Sequence, residues 1–122
     1  MKVAGIGFRA EATVASLRSA LAAAGGAGGV TVLATSEAKA GAAVILAFAA
    51  ELGLPIVGVS TKDLARQDTL TDSARVREKT GAGSLAEAAA LAIVGSNARL
   101  LGARAVSADH MATAAIAEGI TP

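Results

Sequence analysis

The sequence predicts an α/β fold built on a mixed sheet, and three observations carry that prediction. Short runs holding Val and Ile alternate with longer segments whose leucines and alanines recur at helical spacing. Glycines and a proline mark the changes from one kind to the other. The chain is 53% hydrophobic, yet alanine supplies much of this and Phe8 and Phe48 are the whole aromatic content. Side chains so small let helices lie close against a sheet, so thin, tight layers are expected.

Each element follows in order. "KVAGIG" (2–7) is a short apolar run suited to a buried strand, and it opens into "FRAEAT". Val14, Leu17 and Leu21 then fall at helical spacing until "GGAGG" (25–29) stops the helix. "VTVLAT" (30–35) is a second strand. Ser36 is expected to N-cap a long helix through Leu52, with Gly53 at its C-terminal end and Pro55 beyond. "IVGV" (56–59) is the third strand, and the polar middle 60–79 holds one short helical turn in "STKDLARQ" and a loop in "DTLTDSARVREK". A helix runs from Ser84 to about Val94, and "ARLLGARAV" (98–106) and "MATAAIAE" (111–118) close the chain as two strands joined through "SADH". The β-α-β-α-β start implies parallel pairing, and the short last connection an antiparallel one. The chain reads as a single domain, residues 1–122, without repeats.

Composition excludes several functions. Without cysteine there is no disulfide, thiolate metal site or cysteine nucleophile. One histidine, His110, leaves no His-pair zinc site. The net charge of +1 comes from interspersed charges, and with neither Trp nor Tyr to stack bases, nucleic-acid binding is not expected. The apolar stretch 41–50 is too short to span a bilayer, so a soluble cytoplasmic protein is expected, with no membrane association and neither cofactor nor metal.

Three strand-to-helix stretches have the makings of a site. "GIGFRA" (5–10) matches G-x-G-x-x-A after a strand, where Gly5 and Gly7 would let a pyrophosphate approach. The acid expected about 20 residues later is missing; Glu37 lies farther on. The stretch therefore reads as a bare tight turn, or as an anion-binding turn served by Arg9. In "ATSEAKAG" (34–41), Thr35 and Ser36 are donors and Lys39 is a cation in the expected first helical turn. That position opposes the helix dipole by about 0.3–1 kcal/mol, which implies either an anion beside it or a lysine reaching water or a nearby acid. In "TGAGSLAE" (80–87), Ser84 and Glu87 fit a capping box, and Gly81 and Gly83 allow the sharp entry. No G-K-[ST] follows, so this is not a P-loop. Glu37 and Glu87 are the candidates for a catalytic base. His110 reads as a solvated loop residue and Thr113 as an inward-facing strand residue.

Taken in succession, "GIGFR", "LATSEAKAG", "TGAGSLAEAAALA" and "ATAAIAEG" resemble the cobalamin-biosynthesis CobE family, which is similar to the C-terminal domain of CbiG. The resemblance runs from Val3 to about Gly119. It implies a three-layer α/β/α sandwich with a mixed, mostly parallel sheet of about five strands. It also implies a role in corrin-ring assembly: binding or carrying a precorrin or other corrinoid intermediate in the aerobic route, with other cobalamin-pathway enzymes as further partners. The alternative it implies is a hydrolase opening a lactone on a precorrin-5-type intermediate, as CbiG-type proteins do. The chain has no room for the additional N-terminal domain of CbiG, which favours the CobE-like form. A nucleotide-binding α/β domain is the reading outside the family.

The resemblance carries over Gly5, Gly7, Arg9, Thr35, Lys39, Gly81, Ser84, Glu87 and Thr113, all but Glu87 as expected ligand-binding residues. Two departures stand out. Gly41-Ala42 occupies a position where the family usually has an acid, and Ala112–Ala115 reads A-T-A-A where A-T-C-A is frequent.

Overall fold

A computed structural model describes residues 1–72, 84–95 and 97–119. Its sheet is organised around β1 (Lys2–Phe8). On one side lie β2 (Val32–Ser36) and then β3 (Ile56–Val59), both parallel to it. On the other side β6 (Ala112–Gly119) runs antiparallel to β1, with Phe8 opposite Ala112 and Lys2 opposite Glu118. Two short strands, β4 (Ala98–Leu100) and β5 (Ala105–Val106), pair antiparallel with the outer side of β6. Among the described residues β6 is thus the strand that runs against the other five.

Helices cover both faces, as expected of a three-layer sandwich. Successive side chains of β1 point to opposite faces, and each face buries its own cluster. Ala4, Ile6 and Phe8 meet Leu17 and Leu21 of α1 (Val14–Ala24) and Ile45 and Phe48 of α2 (Ala43–Leu52). Val3 on the opposite face joins Leu64 of α3 (Thr61–Ala65) and Leu85, Ala88, Ala89 and Leu91 of α4 (Leu85–Val94). The thin layers are visible at Gly5. A Cβ placed there would stand 1.8 Å from the Ala86 carbonyl oxygen of α4. Gly5 therefore lets the alanine-rich helix settle on the strand.

Several boundaries differ from expectation. Ser36 does not cap a helix; it is the last residue of β2, buried and paired with Val59. Its carbonyl accepts from Lys39 N and Ala40 N, so the chain first makes a turn. The helix begins only at Ala43, with Ala42 as an N-cap that offers no side-chain hydrogen bond. Gly53 ends that helix as expected, in the left-handed region at φ 68°. The run 98–106 is not one strand but two, because the Arg104 N–H leaves the ladder for the Glu87 carboxylate at 2.7 Å. Ser84 does accept from Glu87 N at 3.4 Å, but the Glu87 side chain does not complete the expected box. Gly81 and Gly83, with most of "DTLTDSARVREK", lie outside the described residues.

Candidate functional site

The last carbonyls of β1 are each approached by a side chain from a neighbouring element. Thr35 Oγ1 donates to the Ile6 carbonyl at 2.7 Å, and Thr113 Oγ1 makes a long 3.5 Å contact with the Gly7 carbonyl. Lys39 Nζ donates to the Phe8 carbonyl and lies 4.8 Å from the centre of the Phe8 ring. Three residues expected at a ligand site thus direct polar atoms to successive carbonyls of one strand end. Thr35 is fully buried.

Beyond that strand end opens a cleft of about 820 Å³, toward the upper end of the range for small-molecule sites. Gly7, Phe8, Arg9 and Glu11 form its floor, and Ser36, Lys39 and Thr61 one wall. Arg104 and Val106 of the β5 region, with His110 and Met111 of the next turn, form the other wall, and Thr113 and Leu85 complete it. This is the crevice outside the carboxyl ends of parallel strands, at the point where pairing switches from β2 to β6.

Charge is distributed unevenly between the cleft and the rest of the surface. Arg18 makes a bidentate pair with Glu51 at 2.7 and 2.8 Å, Arg66 pairs with Asp63 at 3.4 Å, and Arg99 with Glu118 at 2.7 Å. The other two arginines among the described residues, Arg9 and Arg104, have no acid partner there, and both line the cleft.

The turn carrying His110 is fixed from beneath. Asp109 accepts from Ser16 Oγ and Ser107 Oγ, each at 2.6 Å, and from Met111 N at 3.0 Å. These bonds, that from Ser107 foremost, bring the Asp109 carboxyl down to about 2. Ser19 Oγ accepts from Ala108 N at 3.0 Å. So held, His110 takes a left-handed φ of 62° at the rim.

Neither candidate base faces the cleft. Glu37 is exposed and outside the lining. Glu87 is fully buried, and its carboxylate accepts from Leu70 N at 2.6 Å, Thr71 N at 2.9 Å, Thr71 Oγ1 at 2.6 Å and Arg104 N at 2.7 Å. Burial pushes its carboxyl upward, but the hydrogen bonds from Thr71, Arg104 and Leu70 outweigh this and the net shift is down. The result is an ionised clasp joining α4 to two loops. Gly5 under α4 and buried Ser84 also lie away from the cleft, whereas Gly7, Arg9, Lys39 and Thr113 line it. Sequence reasoning did not single out Arg104, while His110 lies in an exposed turn as expected and also lines the cleft. No local signal marks Arg104; only the fold brings it opposite Arg9. Among the described residues no group of three or more His, Asp or Glu is placed to hold a metal ion. No helix among them is long and apolar enough to cross a membrane.

A family model described as "Cobalamin synthesis G C-terminus" matches residues 2–117. The chain belongs to that CbiG C-terminal family. Two solved structures are similar to it across its length. One is CobE, described as a protein from the cobalamin (vitamin B12) biosynthetic pathway, with 29% identity, a TM-score of 0.83, and coverage of 100% of this chain and 92% of that one. The other is the cobalamin biosynthesis protein chiG from Agrobacterium tumefaciens str. C58, with 36% identity, a TM-score of 0.73, and coverage of 99% and 100%. No curated protein sequence gives a significant match. The expected family is therefore the right one, and the chain is a cobalamin-biosynthesis protein.

Proposed function

We propose that this cobalamin-pathway protein binds and carries a corrin-ring intermediate in the Arg9–Arg104 cleft. The observation that carries this reading is the pair of arginines without acid partners, facing one cleft in a chain whose other described arginines are all ion-paired. Corrin precursors present several acetate and propionate carboxylates around a flat, apolar ring. Arg9 and Arg104 answer the carboxylates, while Val106 and Met111 offer apolar surface to the ring.

The alternatives fit the geometry less well. Opening a lactone calls for a base at the bound ester; the two acids expected in that role, Glu37 and Glu87, stand off the cleft and Glu87 is saturated with donors, which leaves the role to Glu11 or His110 of the lining. A dinucleotide fold opens its helix within the glycine turn, whereas here α1 begins only at Val14 and Gly5 serves the packing of α4. The test is an absorbance titration with hydrogenobyrinic acid, repeated with an Arg9→Ala, Arg104→Ala double variant. A saturable spectral shift is expected, weakened at least about tenfold in the variant. Titration of folded protein without any shift would overturn the proposal, and conversion of the ligand to a new species would favour the hydrolase.

A further inference from the structure

Among the described residues the sheet ends at β3, and that end is left open. Edge strands are ordinarily blunted by a charge, a proline or a bulge. Ile56–Val59 carries neither charge nor proline, and Val57 and Gly58 are exposed. We infer that this edge is a self-association surface, on which a second copy of the chain adds its own β3 antiparallel about a two-fold axis. No residue of β3 lines the cleft.

The hydrogen bonds fix the register. Leu33 N–H donates to the Pro55 carbonyl and Glu37 N–H to the Val59 carbonyl, so alternate residues of β3 turn their backbone to β2. Ile56 and Gly58 therefore direct their N–H and C=O groups to the open edge. The residues on either side cannot join them there. Leu54 N–H already donates to the Ala49 carbonyl, and the Ser60 carbonyl already accepts from Leu64 N. An antiparallel copy thus engages every free group in one way only, with Ile56 of each chain opposite Gly58 of the other. Val57 then stands opposite its own copy on the axis, as a non-hydrogen-bonded pair with Cα atoms about 4.5 Å apart.

The helix layer selects a second copy over an unrelated strand. α2 covers β2 and β3, since Ile45 and Phe48 share one cluster with Leu33 and Ile56. The outward residues of α2, Ala43, Leu46, Ala47 and Ala50, are all exposed and all apolar, and Leu46 is 51% exposed. Its one charged residue, Glu51, is engaged by Arg18 of α1. A helix apolar on every side belongs in an interior. From one β2–β3 gap to its counterpart across the axis is two strand spacings, roughly 10 Å, and helices pack at about 8–10 Å. Strand pairing therefore sets the two α2 helices at packing distance, covering Leu46 on one face of the sheet while Val57 is covered on the other. A strand without such a helix at that offset would cover only one of them. The seam is as long as α2, about 15 Å, and two layers deep, so it buries on the order of 1,000 Å² in total, the lower end for specific pairs. A reversible dimer with a micromolar Kd follows.

Sedimentation equilibrium across micromolar to near-millimolar protein is expected to show that monomer–dimer equilibrium. Leu46→Lys and Val57→Lys, both at exposed positions, should each raise the dissociation constant at least about tenfold. Because the chain has no cysteine, Val57→Cys places a single thiol on the axis, and mild oxidation should convert it to a disulfide-linked dimer. Leu101→Cys, exposed and beyond β4 at the far end of the sheet, should stay largely unlinked under the same oxidation. Wild type that remains monomeric throughout would overturn the inference. A dimer that survives both lysine substitutions would place the interface on another face and overturn it too. So would a dimer in which Val57→Cys links no faster than Leu101→Cys, since the strands then do not meet in this register.

Discussion

Gly5 belongs to an apparent phosphate-loop pattern in the sequence, yet its missing side chain serves packing. The backbone of α4 passes so close to β1 that the added carbon of alanine would overlap the Ala86 carbonyl at 1.8 Å and approach Ala90 N at 3.0 Å. A backbone carbonyl inside a helix cannot swing away as a side chain would. Gly5→Ala is therefore expected to destabilise the protein by at least about 3 kcal/mol, read from urea unfolding. Gly41→Ala supplies the comparison, because nothing lies within 4 Å of its added carbon. That variant should stay within about 0.5 kcal/mol of wild type. Equal effects at the two positions would show that α4 lies farther from the strand. Glu87 teaches a similar lesson. Its spacing from Ser84 fits a cap, and one half of the cap exists, but the carboxylate is claimed by partners 16 and 17 residues away in sequence. Local pattern identified the residue and tertiary structure assigned its role.

At the level of elements, the strand runs and the α4 start could be read in the sequence because burial and capping are local in period. The delayed start of α2 could not, because Ser36 looks like a cap until Val59 recruits it into the sheet. The break between β4 and β5 was hidden for the same reason: its cause is Glu87, on another element. The turn before β6 shows how such long-range ties respond to solution conditions. Asp109 joins this turn to α1 through Ser16, a residue that also shares hydrogen bonds with the α1 N-cap, Thr13. Folding brings the Asp109 carboxyl from 3.8 down to about 2. A carboxyl depressed by folding stabilises the native state in full above its unfolded value, and the contribution is lost as pH falls through the folded one. The stability difference between wild type and Asp109→Asn is therefore expected to be constant at neutral pH and to shrink between 3.8 and about 2. Unfolding midpoints measured for both proteins across that range check it. A difference independent of pH there would mean that Asp109 acts without its charge.

Across the described residues, the two arginines without an acid partner lie at one edge of the sheet. The family was legible in the sequence because it is written in short blocks along the chain, and the strand-to-helix edge was legible because parallel strands place their carboxyl ends together. The second arginine was not, since Arg9 and Arg104 are 95 residues apart and only the antiparallel return of β6 sets them around one cleft. That arrangement has a consequence for stability. Elsewhere each described arginine is neutralised by an acid, as in the Arg18–Glu51 and Arg99–Glu118 pairs. Arg9 and Arg104 have no such pairing, and they line the same cleft. Without ligand they add nothing to folding through ion pairs, and their mutual repulsion acts against it. The Arg9→Gln, Arg104→Gln double variant should therefore unfold at the wild-type urea midpoint or slightly above it, even as ligand affinity falls. Arg18→Gln, which removes a bidentate pair, should shift the midpoint downward instead. Adding a saturating carboxylated corrin should reverse the order, raising the wild-type midpoint well above that of the double variant, because a ligand that binds only the native state stabilises it in proportion to its affinity. A double variant that unfolds well below wild type without ligand would show that the two arginines hold the fold together, and that their freedom from acid partners is not a feature kept for a ligand.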